Sequence, residues 1–339
     1  SLMRASICVL GPLLARHHRA RVSMPGGCIL GPRPIDLHLK GLAALGAGIG
    51  VEHGDLVATT SGLRGSTIHL AGAFGSSVLA TANVMMAATL AEGTTRIEHA
   101  ACEPEVVDLA NFLIAMGAEI SGQGTPVIRI DGVPELHGAH YRVIPDRIEV
   151  GTLLMATAAL GGDVTVRGAR GDHVGAVVEK LREANVQIDA GEGSLRVRSD
   201  RRLNAVEVTT LPFPGFPTDL QAQMMAMMSL SRGVSLVMEK IYPERFMHVA
   251  ELRRMGAQIT HEGGSAIVKG VEQLSGAPVT ASDLRASAAL VIAGLAAENT
   301  TELRGVEHLD RGYERLEEKL AHLGASIRRE HQGERRVAW

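Results

Sequence analysis

Aromatic side chains are scarce in this 339-residue chain: Phe, Trp and Tyr together make up 3%, with one Trp. Stacking platforms for nucleobases or sugar rings are therefore a poor basis for its function. Cysteine is scarcer still, with Cys8, Cys28 and Cys102 and no Cys-x-x-Cys spacing. Such a set fits neither a disulfide framework nor a structural zinc site, and it points to a reducing compartment. Charge of one sign is missing too: Lys+Arg is 34 against Asp+Glu 37, a net −3, with no long-range pull toward nucleic acid or an anionic membrane. No apolar run is long enough to span a bilayer. Ala5–Ala15 reaches 11 residues, too short for a span. The Arg16, His17, His18, Arg19 and Arg21 that follow it would not be tolerated in a signal peptide, so a buried helix is expected there. Walker A, GxGxxG and HExxH are absent, and His17, His18, His137 and His140 form no metal constellation.

What is present is ordinary globular composition, 45% hydrophobic and 21% charged, at a length that predicts two domains. Only five of the 34 basic residues are lysine (Lys40, Lys180, Lys240, Lys269, Lys319). Arginine grips phosphate and carboxylate bidentately, so a polyanionic ligand becomes a fair question.

The main pattern is an internal repeat. GLAALGAGI at 41–49 returns as FLIAMGAEI at 112–120, KLREANVQI at 180–188, ELRRMGAQI at 251–259 and KLAHLGASI at 319–327. The turn residues Gly46, Gly117, Asn185, Gly256 and Gly324 are separated by 71, 68, 71 and 68. Each copy reads as an amphipathic helix ending on a residue that tolerates the left-handed conformation, followed by a strand entering a hairpin. An Ala/Met/Leu-rich helix such as ANVMMAATLAEG precedes it. One unit is thus strand, helix, strand, helix, strand, strand over about 70 residues, too long for the common solenoids. Two closed domains of three such units need about 420 residues. With five copies, no opening strand and no initiator Met, the expectation is an amino-terminally truncated chain. Its domains would be 1–143, incomplete, and 144–339, with three copies.

Three stretches are candidates for chemistry. SMPGGCILGPRPIDLHL, 23–39, packs glycines and prolines around Cys28 and Arg33. Glycine backbone can approach an anion closely, Arg33 can hold it, and a thiol there can act as general acid or nucleophile; a flexible connector with an incidental thiol is the other reading. Cys8, in an apolar helix, reads as core filler. MRAS (3–6) and LRAS (284–287) open equivalent helices, and PTDLQAQ places Asp219 at a third. Converging helix starts would line one cleft with Arg4, Arg285, Asp219 and Asp283. Alternatively, Thr218, Asp219, Ser282 and Asp283 merely cap helices. The third stretch, DRGYERLEEKL at 310–320, reads as a solvated helix face with Arg311 at its start.

PGGCILGPRPIDLHL, LMRASICVLGP, EPEVVDLANFL, FPTDLQAQ, RFMHVAELRRMGA, DLRASAALVIAG and HLDRGYERLEEKL together resemble the UDP-N-acetylglucosamine 1-carboxyvinyltransferase family of enolpyruvyl transferases, over the whole chain. The resemblance implies an α/β fold: an inside-out α/β barrel with two pseudo-threefold domains of βαβαββ repeats and the active site between them. The activity implied is transfer of the enolpyruvyl group of phosphoenolpyruvate to the 3-hydroxyl of UDP-N-acetylglucosamine, the first committed step of peptidoglycan synthesis. It also implies a monomeric, cytoplasmic bacterial enzyme with no cofactor, no metal, and no nucleic-acid or membrane partner.

By the same resemblance, Cys28 matches the loop cysteine that protonates phosphoenolpyruvate and is alkylated by fosfomycin, and Arg33 the neighbouring arginine that grips that substrate. Arg33, Pro34, Ile35, Asp36 and Leu37 match the strip contacting the nucleotide. Arg4 and Arg311 match arginines for the anionic groups, Asp219 the carboxylate on the sugar hydroxyl, and Ile241 a sugar-nucleotide contact. Arg245, Asp283 and Arg285 match supporting cleft residues. Two departures accompany the match. The family's Lys-Asn pair has no counterpart, because no lysine precedes Lys40, and LAGAFGSSVLATANVMMAA (70–88) carries no lysine, leaving Ser76 and Ser77 as nucleotide contacts. The rival readings are a catalytically impaired sugar-nucleotide binder and the related 5-enolpyruvylshikimate-3-phosphate synthase, which lacks the PGGC loop.

Overall fold

The computed structural model describes residues 4–24, 35–73 and 75–330. The chain divides into two compact units, one of Ser1–Ile144 with Leu211–Gly215 and one of Pro145–Thr210 with Phe216–Trp339. In the first unit, Leu211–Gly215 is tied by the Phe213 N–H, which donates to Glu103 Oε1 at 3.3 Å.

Five copies of the repeat run in order. The first has a 3-10 stretch Arg4–Val9, α1 (Leu10–His17), β1 (Arg19–Ser23), α2 (Asp36–Ala44), β2 (Gly48–Glu52) and β3 (Asp55–Thr59). The second has β4 (Thr67–His69), the short pair β5 (Ala71–Gly72) and β6 (Gly75–Ser76), α3 (Val78–Ala88), β7 (Thr94–Glu98), α4 (Pro104–Ala115), β8 (Glu119–Ser121) and β9 (Val127–Asp131). The third has α5 (Arg147–Leu160), β10 (Gly162–Arg167), α6 (Gly175–Glu183), β11 (Gln187–Gly191) and β12 (Ser194–Ser199). The fourth has β13 (Glu207–Thr209), α7 (Gln221–Met228), β14 (Val234–Met238), α8 (His248–Arg254), β15 (Gln258–Glu262) and β16 (Ser265–Lys269). The fifth has β17 (Pro278–Thr280), α9 (Leu284–Ala296), β18 (Glu302–Arg304) and α10 (Leu316–His322).

The expected βαβαββ order is complete in the second and fourth copies, whose sheets run β4-β7-β9-β8 and β13-β14-β16-β15. In each, the first two strands are parallel and the rest antiparallel. The reason the phrase recurs is local. Gly46, Gly117, Asn185, Gly256 and Gly324 all have φ between +69° and +100°. In every copy the next amide reaches back five residues, as from Ala47 N to Leu42 O at 3.1 Å and from Ala257 N to Leu252 O at 3.0 Å. This left-handed helix stop turns the chain directly into the hairpin strand. The His53-Gly54 turn of the first hairpin has positive φ at both positions, the backbone a two-residue turn between right-twisted strands needs.

Helices lie on the inside and sheets outside. In the second unit α5, α7 and α9 each pack on the other two, and all eight residues of α7 are buried, as a helix apolar on every side requires. By contrast α6 buries only Val177, Val178 and Leu181. The sheets bury one face, with alternating patterns such as that of β1. In the first unit α1 and α2 pack on α3. Gly11 admits the closest approach: a Cβ there would strike the Asn83 carbonyl oxygen. Asn83 ties the three helices, accepting from Gly11 N at 2.8 Å, donating to Ile7 O at 3.1 Å and lying 3.0 Å from His38 Nδ1. Among the described residues no helix is long and apolar enough to cross a membrane.

Candidate active site

The second unit brings four of the expected residues, Asp219, Arg245, Asp283 and Arg285, into one neighbourhood. A 3-10 turn, Thr218–Leu220, leads into α7 and carries Asp219. Asp219 Oδ1 accepts from Arg245 Nη1 at 2.6 Å, and Oδ2 accepts from Arg285 Nη2 at 3.2 Å. Arg245 comes from the loop before α8 and Arg285 from the first turn of α9. Each guanidinium lies over an aromatic ring, Arg245 at 5.8 Å from Tyr242 and Arg285 at 5.5 Å from Tyr313, an arrangement that holds the planar cation in place. The two arginine side chains are 6% and 13% exposed, and Asp219 is 39% exposed. Two nearly buried cations thus share one more accessible anion. Arg285 Nη1 is buried and has no hydrogen-bond partner among the described residues.

Burial by itself would raise the Asp219 pKa. The charges and hydrogen bonds of Arg245 and Arg285 outweigh it and hold the carboxyl far below the usual range. For Arg285, burial works toward a lower pKa, and the charge of Asp219, helped by contact with the Tyr313 hydroxyl, overcomes it, leaving the value raised. His248, the first residue of α8, is buried with Nε2 3.3 Å from Met225 Sδ. Burial, against the pull of Asp283 and aided by the charge of Arg245, pushes its pKa down to about 4.

The two readings of the helix starts divide between the two carboxylates. Asp283 is a cap: its Oδ1 accepts from Arg285 N at 2.9 Å and Ala286 N at 3.1 Å, while Ser282 Oγ donates to Oδ2 at 3.1 Å. Asp219 makes no side-chain cap and spends both oxygens on arginines. Beneath it, Gln223 Nε2 donates to the Asp219 carbonyl at 3.0 Å, Thr152 Oγ1 at 3.2 Å and Tyr313 Oη at 3.2 Å. Thr152 gives its own hydrogen to Ile148 O at 2.8 Å, so the Tyr313 hydroxyl donates to Thr152 across 2.9 Å.

The other expected residues stand apart from this cluster or outside the description. Ile241 is half-buried and gives its N–H to Glu239 Oε1 at 2.8 Å. Arg311 ends a 3-10 stretch and is exposed, with no ion pair among the described residues. In the first unit Ile35 precedes α2, Asp36 is exposed in its first turn, and Leu37 packs at Gly72. Ser77 caps α3, accepting from Ala80 N at 3.3 Å. Cys28, Arg33 and Pro34 lie outside the described residues, as does the side chain of Arg4, whose backbone opens the first 3-10 stretch. Cys8 is half-buried against the first core, in line with its reading as filler.

Sequence reasoning missed Glu239, Thr152, Gln223 and Tyr313. A signal existed for Gln223, since polar amides in QAQMMAMM sit within an otherwise apolar run. For Glu239 and Thr152 the sequence offers only a single polar residue beside or within an apolar stretch.

A family model described as EPSP synthase (3-phosphoshikimate 1-carboxyvinyltransferase) matches residues 1–320. A protein of Methylacidiphilum infernorum named UDP-N-acetylglucosamine 1-carboxyvinyltransferase is 56% identical over 327 residues, covering 96% of this chain and 78% of that one. A protein of the same name from Anaeromyxobacter is 58% identical over 330 residues, covering 97% and 78%. Among solved structures, the enolpyruvyl transferase NikO from Streptomyces tendae matches with a TM-score of 0.84 at 27% identity, over 95% of this chain and 76% of that one. EPSP synthase from Acinetobacter baumannii shares the fold, with a TM-score of 0.70 at 20% identity over 95% and 77%.

Proposed function

We propose a reaction from the premise that this chain belongs to the EPSP synthase family of enolpyruvyl transferases. The reaction is transfer of the enolpyruvyl group of phosphoenolpyruvate to the 3-hydroxyl of UDP-N-acetylglucosamine, with release of phosphate, as the first committed step of peptidoglycan synthesis. The choice of acceptor is supported by the names of relatives at 56% and 58% identity. The chemistry is supported by one observation above others, the Asp219 carboxylate held between Arg245 and Arg285.

In the addition, the sugar oxygen bonds to C2 of phosphoenolpyruvate, its proton passes to Asp219, and the Cys28 thiol delivers a proton to C3. Elimination then expels phosphate, which takes the proton held by Asp219, and returns a C3 proton to the Cys28 thiolate, restoring the double bond. Arg4, Arg33, Arg285 and Arg311 neutralise phosphate and carboxylate, while Ile35, Asp36, Leu37 and Ile241 contact the nucleotide sugar. With both oxygens on guanidinium groups, Asp219 is a weak base in the free protein. Substrate anions that take donors from Arg245 and Arg285 raise its basicity when the alcohol arrives. In the full-length protein, Asp219→Asn should lower kcat about 10²- to 10⁴-fold and leave the UDP-N-acetylglucosamine Kd nearly unchanged. Equal losses in both would make Asp219 a binding group instead.

A further inference from the structure

Resting on that reaction, we propose that Glu239 is a positioning residue that sets both the Arg245–Asp219 pair and the backbone strip at Ile241 and Tyr242. Glu239 directly follows β14 and is 1% exposed. Its Oε1 accepts three hydrogen bonds, from Thr210 Oγ1 at 2.7 Å, Ile241 N at 2.8 Å and Tyr242 N at 2.9 Å. Its Oε2 accepts from Thr218 Oγ1 at 2.9 Å.

The direction of each bond is set by its neighbours. Thr210 Oγ1 accepts from Lys240 N at 2.9 Å, so its one hydrogen goes to Glu239. Thr218 Oγ1 accepts from Arg245 Nη1 at 3.0 Å, so its hydrogen also goes to Glu239. A chain of donors therefore runs from Arg245 through Thr218 to the carboxylate, and the same Arg245 Nη1 reaches Asp219 Oδ1 at 2.6 Å. Glu239 orients the Thr218 lone pair toward Arg245, and Arg245 orients the base. The other oxygen pins consecutive amides of the 240–242 turn, which carries Ile241 and the Tyr242 ring beneath Arg245. An amide at this position cannot reproduce the pattern, because its nitrogen would present hydrogens to Thr218, which already donates.

The test is a double-mutant cycle in the full-length protein with Thr218→Val, Glu239→Gln and both, reading kcat, KM and the urea midpoint. Each single change should lower kcat by about 10- to 100-fold through misplacement of Asp219 and Arg245. The double variant should be no slower than the slower single one, and Thr218→Ser should restore kcat. Losses that multiply, or a Thr218→Ser enzyme as slow as Thr218→Val, would overturn the proposal. Amide exchange at Ile241 and Tyr242 supplies a readout independent of turnover. It should accelerate at least about 10-fold in Glu239→Ala, which removes the acceptor altogether, as protection by a buried acceptor requires, and unchanged exchange would also overturn the proposal. A wild-type protein without turnover would instead refute the reaction, with the exchange result still deciding the role of Glu239.

Discussion

Replacing Asp219 by Asn should destabilise the second unit even without substrate. Arg245 and Arg285 are 6% and 13% exposed and both point at this one carboxylate. The neutral amide would leave two like charges facing each other with little water between them. Removing one partner of a buried ion pair costs about 3–5 kcal/mol. Asp219 keeps 39% exposure, so solvent screening brings the expected loss to about 2–3 kcal/mol. Arg285→Met should cost less, about 1–2 kcal/mol, because Asp219 keeps Arg245. The sign with pH follows from a folded pKa held below its unfolded value. The stabilisation is complete above the ordinary Asp pKa of about 3.9 and fades as pH falls below it. Urea unfolding followed by circular dichroism should therefore show a constant gap between wild type and Asp219→Asn from pH 8 to 5, narrowing below pH 4. An Asn variant as stable as wild type, or one more stable than Arg285→Met, would refute the reasoning.

Two further outcomes follow from packing and protonation. His248 is buried neutral with a pKa of about 4, below its ordinary value of about 6.5, so the unfolded chain binds its proton first and stability falls as pH drops from 6.5 toward 4. The loss at pH 5 is about 2 kcal/mol, and His248→Met should flatten the urea midpoint across that window. Gly11→Ala drives a methyl group into the Asn83 carbonyl and should lower the stability of the first unit by about 1–3 kcal/mol, read as an earlier unfolding transition.

The repeat was legible because its stop signal is local: each of Gly46, Gly117, Asn185, Gly256 and Gly324 has to be left-handed for the chain to turn from helix into strand. Their spacing sets the copy number, and the apolar and alternating patterns between them set the strand and helix order. The role of Asp219 was not legible from position, since Thr218-Asp219 and Ser282-Asp283 look alike before their helices. Only the fold distinguishes them, by bringing Arg245 from farther along the same copy and Arg285 from the next copy to one carboxylate and leaving the other to cap α9. Glu239 was hidden for the same reason. Its partners Thr210 and Thr218 lie 29 and 21 residues away, and no periodic pattern marks an acid that follows an apolar strand.

The most direct measurement is phosphate release from phosphoenolpyruvate by the full-length protein, with UDP-N-acetylglucosamine or shikimate 3-phosphate offered as acceptor. Release that requires UDP-N-acetylglucosamine, matches the enolpyruvyl sugar nucleotide formed and collapses in Asp219→Asn is the predicted result. Release driven by shikimate 3-phosphate, or by neither acceptor, would contradict it.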